Sequence, residues 1–359
     1  MARLASELSR HFPDDDLLPF CAWHGRSAVD AVLGPLGLRT AAARFPLPRF
    51  ALYESWHRLG LPPVTWLPSV APADVIHAPF VAVPPPASKP LVVSVHDAGF
   101  AIHPESYTDR GRAFHQTGVR VAARRADVVL TGSHAAAEEL AAHTPIPRSR
   151  IRVIPYGVDH EPATPDEVVA TLEKYGLAAT PFVLWVGTLE PRKNVGTLVA
   201  AFARLSAATP LPHSLVLAGP QGWLSDDLIP AEAKASLGPR LRVVGRVDDT
   251  ELRALYAAAD VFALPSRHEG FGIPTLEAMA QGTPVVCSDI PALREVSGGA
   301  ARLVPPASVP DWADALAEVL GDPAQRDRLA RAGRAHAARF SWERTARETR
   351  EVYRELASS

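Results

Sequence analysis

At 359 residues, with 47% apolar and 21% charged residues and a formal net charge of -2, the chain is long enough for two globular domains of about 160 to 180 residues and has no basic field for nucleic acid. Its cysteines, Cys21 and Cys287, lie far apart without Cys-x-x-Cys or Cys/His spacing, which argues against a disulfide framework or structural zinc and fits a reducing cytoplasm. There is no run of 18 apolar residues, and the opening MARLASELSRHF lacks the basic-then-apolar order of a signal peptide, so neither membrane spanning nor export is expected.

Short apolar, β-branched runs bounded by turn residues predict strands at 74–78, 91–95, 127–132, 152–157, 182–187, 214–219, 241–245, 260–265 and 284–289. Between many of them lie segments with helical periodicity, such as NVGTLVAAFARLSAA, DTELRALYAAA and PDWADALAEVLG. Continuous apolar strands alternating with helices predict an α/β chain with parallel, doubly wound sheets, in which ligands bind beyond the carboxyl ends of the strands. After RVIPYGVDHEP the pattern gives way to PATPDEVVATLEKYGLAATPF and restarts at Phe182, which places a hinge at about 157 to 180. The expected division is residues 1–165, residues 166–340, and a final helix over 341–359 capped by Ser341. That helix has few apolar residues and needs another surface, expected to be the N-terminal domain.

Along the chain, four places could carry chemistry. His96 and Asp97 end the strand at 91–95, where active-site groups of open α/β sheets are expected; His96 could bond a sugar hydroxyl or a phosphate oxygen with Asp97 orienting it, or be a satisfied strand-end histidine. Arg110, Arg112, Arg120, Arg124 and Arg125 form a basic helix face that could touch anionic lipid or simply be solvated. His24, His77 and His103 are structural or unassigned, and Ser133 is a helix cap by default. Arg192 and Lys193 follow the strand at 182–187 and the turn glycine Gly187; cations at a helix start oppose the helix dipole, so a bound diphosphate explains them better than a solvated pair.

The most informative stretch is SRHEGFGIPTLEAMAQGTPVV. Pro274 suits a first helical residue and Gly282 a stop, so a short helix is expected from about Pro274 to Gln281, with Glu269 on the loop before it and Glu277 in its first turn. Free amides and the positive end of the helix dipole suit an anion, while two carboxylates accept from sugar hydroxyls, a combination that describes a nucleotide-sugar pocket. An ordinary helix start with acidic residues is the plainer alternative.

In their order, DVIHAPF, VVSVHDAGFAIHPESY, RRADVVLTGS, VIPYGVD, VGTLEPRKNV, LAGPQGW, VVGRVDDTELRALYAAADVFALPS and HEGFGIPTLEAMAQGTPVV resemble the group 1, glycogen-synthase-like family of retaining glycosyltransferases, over almost the whole chain. LAGPQGW and HPESY point to its mannosyltransferase-like branch. The resemblance implies two facing Rossmann-like domains (the GT-B fold) and a metal-independent transfer with no cofactor. Arg192 and Lys193 would hold the donor diphosphate. Glu269 would contact donor-sugar hydroxyls with the backbone of Gly270, Phe271 and Gly272, Glu277 would bind the ribose, and His96 would sit near the donor sugar and phosphate. Base recognition would fall near Gly245 and Arg246.

The expected reaction is transfer of a hexosyl group, mannosyl first, from a nucleotide sugar to a glycan or lipid-linked acceptor, with GDP-mannose favoured over a UDP-sugar. The expected place is the cytoplasm, with peripheral membrane contact open and no nucleic-acid partner. A catalytically silent nucleotide-sugar-binding or scaffold protein of the same fold is the alternative. A dehydrogenase would need Gly-x-Gly-x-x-Gly after a strand, and a phosphorylase a cofactor lysine; neither is found. Family members begin with a strand and a glycine-rich loop, whereas Met1 opens into what looks like the following helix. The first strand of the N-terminal sheet is therefore expected to be missing, with a start about 15 to 25 residues upstream.

Overall fold

Runs of Val, Ile and Leu buried on both faces form parallel strands because only a sheet covered on each side hides them. The computed structural model describes residues 2–224 and 228–358, in which all nine predicted strands occur. Three further short strands had too little apolar run to be read. Two of these, β1 (Phe20–Cys21) and β2 (Ala43–Arg44), pair in parallel with each other. Then β3 (Ile76–Ala78), β4 (Leu91–Ser94), β5 (Val128–Thr131) and β6 (Ile151–Val153) form a parallel sheet in that order.

The second sheet holds β7 (Phe182–Val186), β8 (Ser214–Ala218), β9 (Leu241–Gly245), β10 (Val261–Leu264), β11 (Val285–Ser288) and β12 (Arg302–Val304), the last being the third unread strand. Its order is β12-β11-β10-β7-β8-β9, and every pairing is parallel.

The chain divides into two compact units, one of Met1–Ile102, Asp109–Gly157 and Ser341–Ser359, the other of His103–Thr108 and Val158–Phe340. The change of unit thus falls at 157/158 rather than 165, and a six-residue segment from the middle of the first stretch goes with the second unit.

In the first unit the terminal helix Trp342–Ala357 lies against helix Ala2–His11, where Leu4, Leu8 and Ala346 are buried together. Arg350 bonds Asp15 through two nitrogens, and that bonding, with its charge, holds the carboxyl below the usual range. Val352 joins Val92, Val128, Leu130 and Ile154, and Thr345 Oγ1 donates to the Pro155 carbonyl at 2.7 Å. Close approach is required here: a Cβ on Gly157 would lie 2.1 Å from the Trp342 nitrogen. His77 is a core residue bonded to Tyr353 and Ser94.

The stretch predicted as a hinge contains a helix, Pro165–Lys174, within the second unit. Thr164 and Glu167 form a reciprocal capping box with Pro165 at the first helical position, a Thr-x-x-Glu signature visible in the sequence. The core of this unit packs helix Val195–Ala208, through Val195, Leu198, Val199, Phe202 and Leu205, with Trp312, Leu316 and Val319 of helix Val309–Gly321. These spacings of three and four put the apolar residues on one helix face. Among the described residues no helix is long and apolar enough to cross a membrane.

Two backbones meet after β7 and β8. Gly219 has φ 140°, and a Cβ there would lie 1.9 Å from the Gly187 carbonyl oxygen. Gly219→Ala is expected to lower stability by about 2–4 kcal/mol, combining backbone strain with a clash that separates the two loops. Urea unfolding followed by tryptophan fluorescence checks this; an unchanged midpoint would show that the loops part freely.

Candidate active site

In the six-stranded sheet the strands β7, β8, β9 step toward one edge and β10, β11, β12 toward the other, so the order reverses between β7 and β10. Loops leaving such a pair diverge to opposite faces and open a crevice beyond the carboxyl ends. The loop after β7 carries Gly187, Glu190, Arg192 and Lys193; the loop after β10 carries Ser266, His268, Glu269, Gly270, Phe271 and Gly272.

The two loops are tied by charge. Lys193 Nζ donates to Glu269 Oε1 at 2.7 Å, and Arg192 NH1 donates to Glu269 Oε2 at 3.1 Å and to the His268 carbonyl at 2.9 Å. Arg192 NH2 donates to Glu190 Oε1 at 2.7 Å, and Ser266 Oγ to Glu269 Oε1 at 2.7 Å. Backbone bonds fix the same geometry, since the Arg267 amide donates to the Arg192 carbonyl. Asn194, with φ 54°, spans from the helix start to the carbonyls of Pro265 and Pro306.

Glu269 is buried, which alone would push its carboxyl up. The charges of Lys193 and Arg192 and the bonds from Lys193 and Ser266 outweigh that and hold it at about 2. Two of its four lone-pair directions are taken at Oε1 and one at Oε2, leaving Oε2 able to accept from one ligand hydroxyl. Glu190 shows the opposite balance, with burial raising its carboxyl against the pull of Arg192 and Lys193.

The helix after the second loop runs Ile273–Gln281, bounded by Gly272 (φ 96°) and Gly282 (φ 79°). The φ of Gly272 favours glycine, and a Cβ there would lie 2.4 Å from a Leu293 methyl, which would have to move. Phe271 is buried edge-on to Phe340. Glu277 is the fifth helical residue and so lies beyond the first turn where it was expected, because the helix begins one residue before the proline. Its Oε2 accepts from Tyr256 Oη at 3.0 Å, and burial, helped by Asp159 and Asp249, raises its carboxyl to about 7 despite that bond.

The structure therefore brings Arg192, Lys193 and Glu269 together. Gly187 contributes its carbonyl, which Gly219 approaches; the glycine demanded by close backbone contact is Gly219, unread in the sequence. Gly245 (φ 74°) and the exposed Arg246 end β9, the edge strand two places from the switch point.

His96 belongs to the first unit, beyond β4. Its Nδ1 bonds Tyr156 Oη at 2.6 Å, and burial lowers its pKa. Asp97, expected to orient His96, instead accepts from the Gly99 amide at 2.8 Å; the ring is held by Tyr156, 60 positions away. Of the five arginines, Arg125 turns inward to the Trp56 carbonyl, whereas Arg110 stands over the Phe50 ring.

His103 has a place the sequence did not suggest. In the second unit its ring lies 5.7 Å from that of His268, while Trp223 Nε1 donates to the Ser106 carbonyl at 2.8 Å and Tyr107 lies against the Trp223 ring. HPESY and LAGPQGW, far apart in sequence, are thus two sides of one contact beside the Arg192–Glu269 cluster.

Comparison with known proteins agrees with this architecture. The family model described as glycosyl transferases group 1 matches residues 172–336, and that of glycosyltransferase family 4 matches residues 1–162. O-antigen chain mannosyltransferase B of Escherichia coli is 33% identical over 267 residues, 74% of this chain and 70% of that protein. A D-inositol 3-phosphate glycosyltransferase of Nocardia farcinica is 38% identical over 57% of this chain, but the match spans only 48% of that relative. Among solved structures, Anabaena HepE in complex with UDP and glucose superposes with a TM-score of 0.76 at 21% identity, covering 99% of this chain and 96% of that one. Sucrose-phosphate synthase from Thermosynechococcus elongatus gives 0.72 at 26% identity, covering 99% and 92%.

A carboxyl raised in the folded state binds protons more tightly there than in the unfolded chain, so Glu277 removes stability as pH rises from its unfolded value near 4.5 to about 7, and the loss is complete above that. Glu277→Gln is expected to flatten this part of the stability profile and to be the more stable protein at pH 8. Urea midpoints at a series of pH values test it, and parallel profiles for the two proteins would contradict the assignment.

Proposed function

Because the chain belongs to the group 1 glycosyltransferases and has their GT-B fold, we propose that it is a retaining, metal-independent hexosyltransferase, moving mannose from GDP-mannose to a glycan or lipid-linked acceptor. What supports this most is the seating of Arg192 and Lys193 against Glu269 at the switch point, with two cations fixed where a diphosphate would leave. Mannose is favoured by two mannosyltransferase relatives, that of Escherichia coli and the MMP alpha-(1->4)-mannosyltransferase of Mycolicibacterium hassiacum, 33% identical over 64% of this chain and 54% of its own length. A UDP-sugar is the second choice, since the HepE structure holds UDP and glucose.

In this reading Arg192 and Lys193 bind the diphosphate and stabilise its charge as the bond from the sugar carbon to phosphate oxygen breaks. The acceptor oxygen attacks from the same face, and its proton passes to the leaving phosphate. Glu269, ionised and held by three donors, orients a sugar hydroxyl through Oε2 rather than attacking carbon. Glu277 accepts from the ribose hydroxyls and His96 serves the sugar and phosphate; the base is met near Gly245 and Arg246. The cations supply what a divalent ion supplies elsewhere, so neither metal nor cofactor is required.

The test is release of GDP from GDP-mannose with an acceptor extract, with the anomeric configuration of the product read by NMR. Retained configuration is expected, and Lys193→Ala should lower turnover by about 100-fold or more. Inversion, or no release with any nucleotide sugar from folded protein, would refute the reading.

We further place the protein in the cytoplasm, in peripheral contact with a membrane carrying a lipid-linked acceptor. In the first unit Trp23, Phe50 and Trp66 are 62%, 57% and 66% exposed, and Arg49 and Arg110 lie 5.0 and 4.5 Å from the Phe50 ring centre. Aromatic residues with arginines suit an anionic headgroup layer. Co-sedimentation with phosphatidylglycerol vesicles is expected, falling severalfold in a Phe50→Ser, Trp66→Ser variant; equal binding to neutral vesicles, or none, would remove this part.

A further inference from the structure

Glu190 stands two residues before Arg192 and is buried, with its carboxylate turned to the guanidinium. Its bond to NH2 completes a clamp on the guanidinium, whose NH1 is held by Glu269 and the His268 carbonyl. With both ends of the fork fixed, Arg192 cannot swing as a ligand enters, which is the preorganisation that makes such a group effective toward developing charge.

The same arrangement poses an electrostatic problem. Two cations and two carboxylates sum to zero, yet the diphosphate of a nucleotide sugar is doubly negative. Bringing it against a neutral cluster sets it beside two buried carboxylates as well as two cations, and close like charges disfavour ionisation. One carboxylate is the natural place for a proton. Glu269 is the poor candidate, with donors from Lys193, Arg192 and Ser266 that favour its ionised form. Glu190 is bonded by Arg192, and the charged groups acting on it are Arg192 and Lys193 from its own loop and Glu269 from the loop after β10. On the β8 side its neighbour Leu189 pairs with Gln221.

We propose that Glu190 is a positioning residue that takes up a proton as the donor diphosphate binds, so that the Arg192–Lys193 site becomes net positive when its substrate arrives. This rests on the reading of Arg192 and Lys193 as the diphosphate site. The raised carboxyl of Glu190 in the ligand-free protein agrees in direction. Protonated, the side chain still offers its carbonyl oxygen to Arg192, so the clamp survives the change of charge.

The experiment is calorimetric titration of the full chain with GDP-mannose, or with UDP-glucose if the former does not bind, in two buffers of different ionisation enthalpy. A diphosphate esterified at both ends keeps only strongly acidic hydroxyls, so neither donor's diphosphate titrates near neutral pH. Wild type is compared with Glu190→Gln. Protons exchanged by Glu277 and other groups outside the cluster are common to both, and Glu269 is held ionised by Lys193, Arg192 and Ser266 in both, so the difference reports Glu190.

Wild type should take up about half a proton more than the variant near neutral pH, and its affinity relative to the variant should fall about threefold or more between about pH 6 and about pH 8. In turnover, Glu190→Ala should lower kcat about tenfold or more, and Glu190→Gln should recover most of that loss because its amide oxygen still accepts from Arg192. Should the alanine variant not fold, the glutamine comparison decides alone. Equal proton uptake, or a glutamine variant as inactive as the alanine one, would overturn the proposal while leaving the donor site standing. Failure of wild type to bind any nucleotide sugar would overturn both.

Discussion

The carboxylate of Glu269, buried between Lys193 and Arg192, is the interaction on which the site depends. A buried ion costs several kcal/mol in lost hydration, and the cost is offset only where geometry and additional hydrogen bonds are good. Here each oxygen of the carboxylate has a charged donor, Ser266 supplies a further one, and Glu190 completes the set around Arg192. Glu269 is the common acceptor, so its loss would take a bond from each of Lys193, Arg192 and Ser266. The two loops are therefore locked in the free protein, and their cations stand fixed before any anion arrives.

That lock is possible because of the sheet beneath it. Parallel strands β7 and β10 lie side by side with the order reversing between them, so their loops start close together and diverge. Gly219 lets the loop after β8 close onto Gly187, and Gly272 lets the helix Ile273–Gln281 begin against Leu293. Farther along that helix Glu277 sits beside Tyr256 in surroundings that favour its neutral form, whereas Glu269 is held ionised. Two glutamates eight positions apart thus have carboxyls shifted in opposite directions, because cations outweigh burial at Glu269 whereas at Glu277 burial, with two aspartates, outweighs the bond from Tyr256.

Much of the fold was legible. Nine strands declared themselves as runs of β-branched and apolar residues, and Pro274 and Gly282 bracketed their helix to within a residue. The misses have physical causes. β12 offers only Leu303 and Val304 before Pro305 and Pro306 end the run, and the Thr-x-x-Glu cap of helix Pro165–Lys174 was outweighed by the prolines and threonines around it. Arg192, Lys193, Glu269 and Glu277 were readable as candidates because charge beside glycine-rich turns is conspicuous. Glu190, Ser266 and Tyr256 were not, since each acts through a partner distant in sequence or hidden by burial.

The sequence by itself determined the α/β alternation, the parallel sheets and which loops carry charge, because strand burial and turn chemistry are local properties. Only the tertiary structure decided that Arg192 and Lys193 share one carboxylate, that Tyr156 rather than Asp97 holds His96, and that HPESY meets LAGPQGW. Those are pairings across 60 to 117 positions. Local pattern does not encode them, since they are set by which strands lie side by side and by the need of each buried charge or donor for a partner.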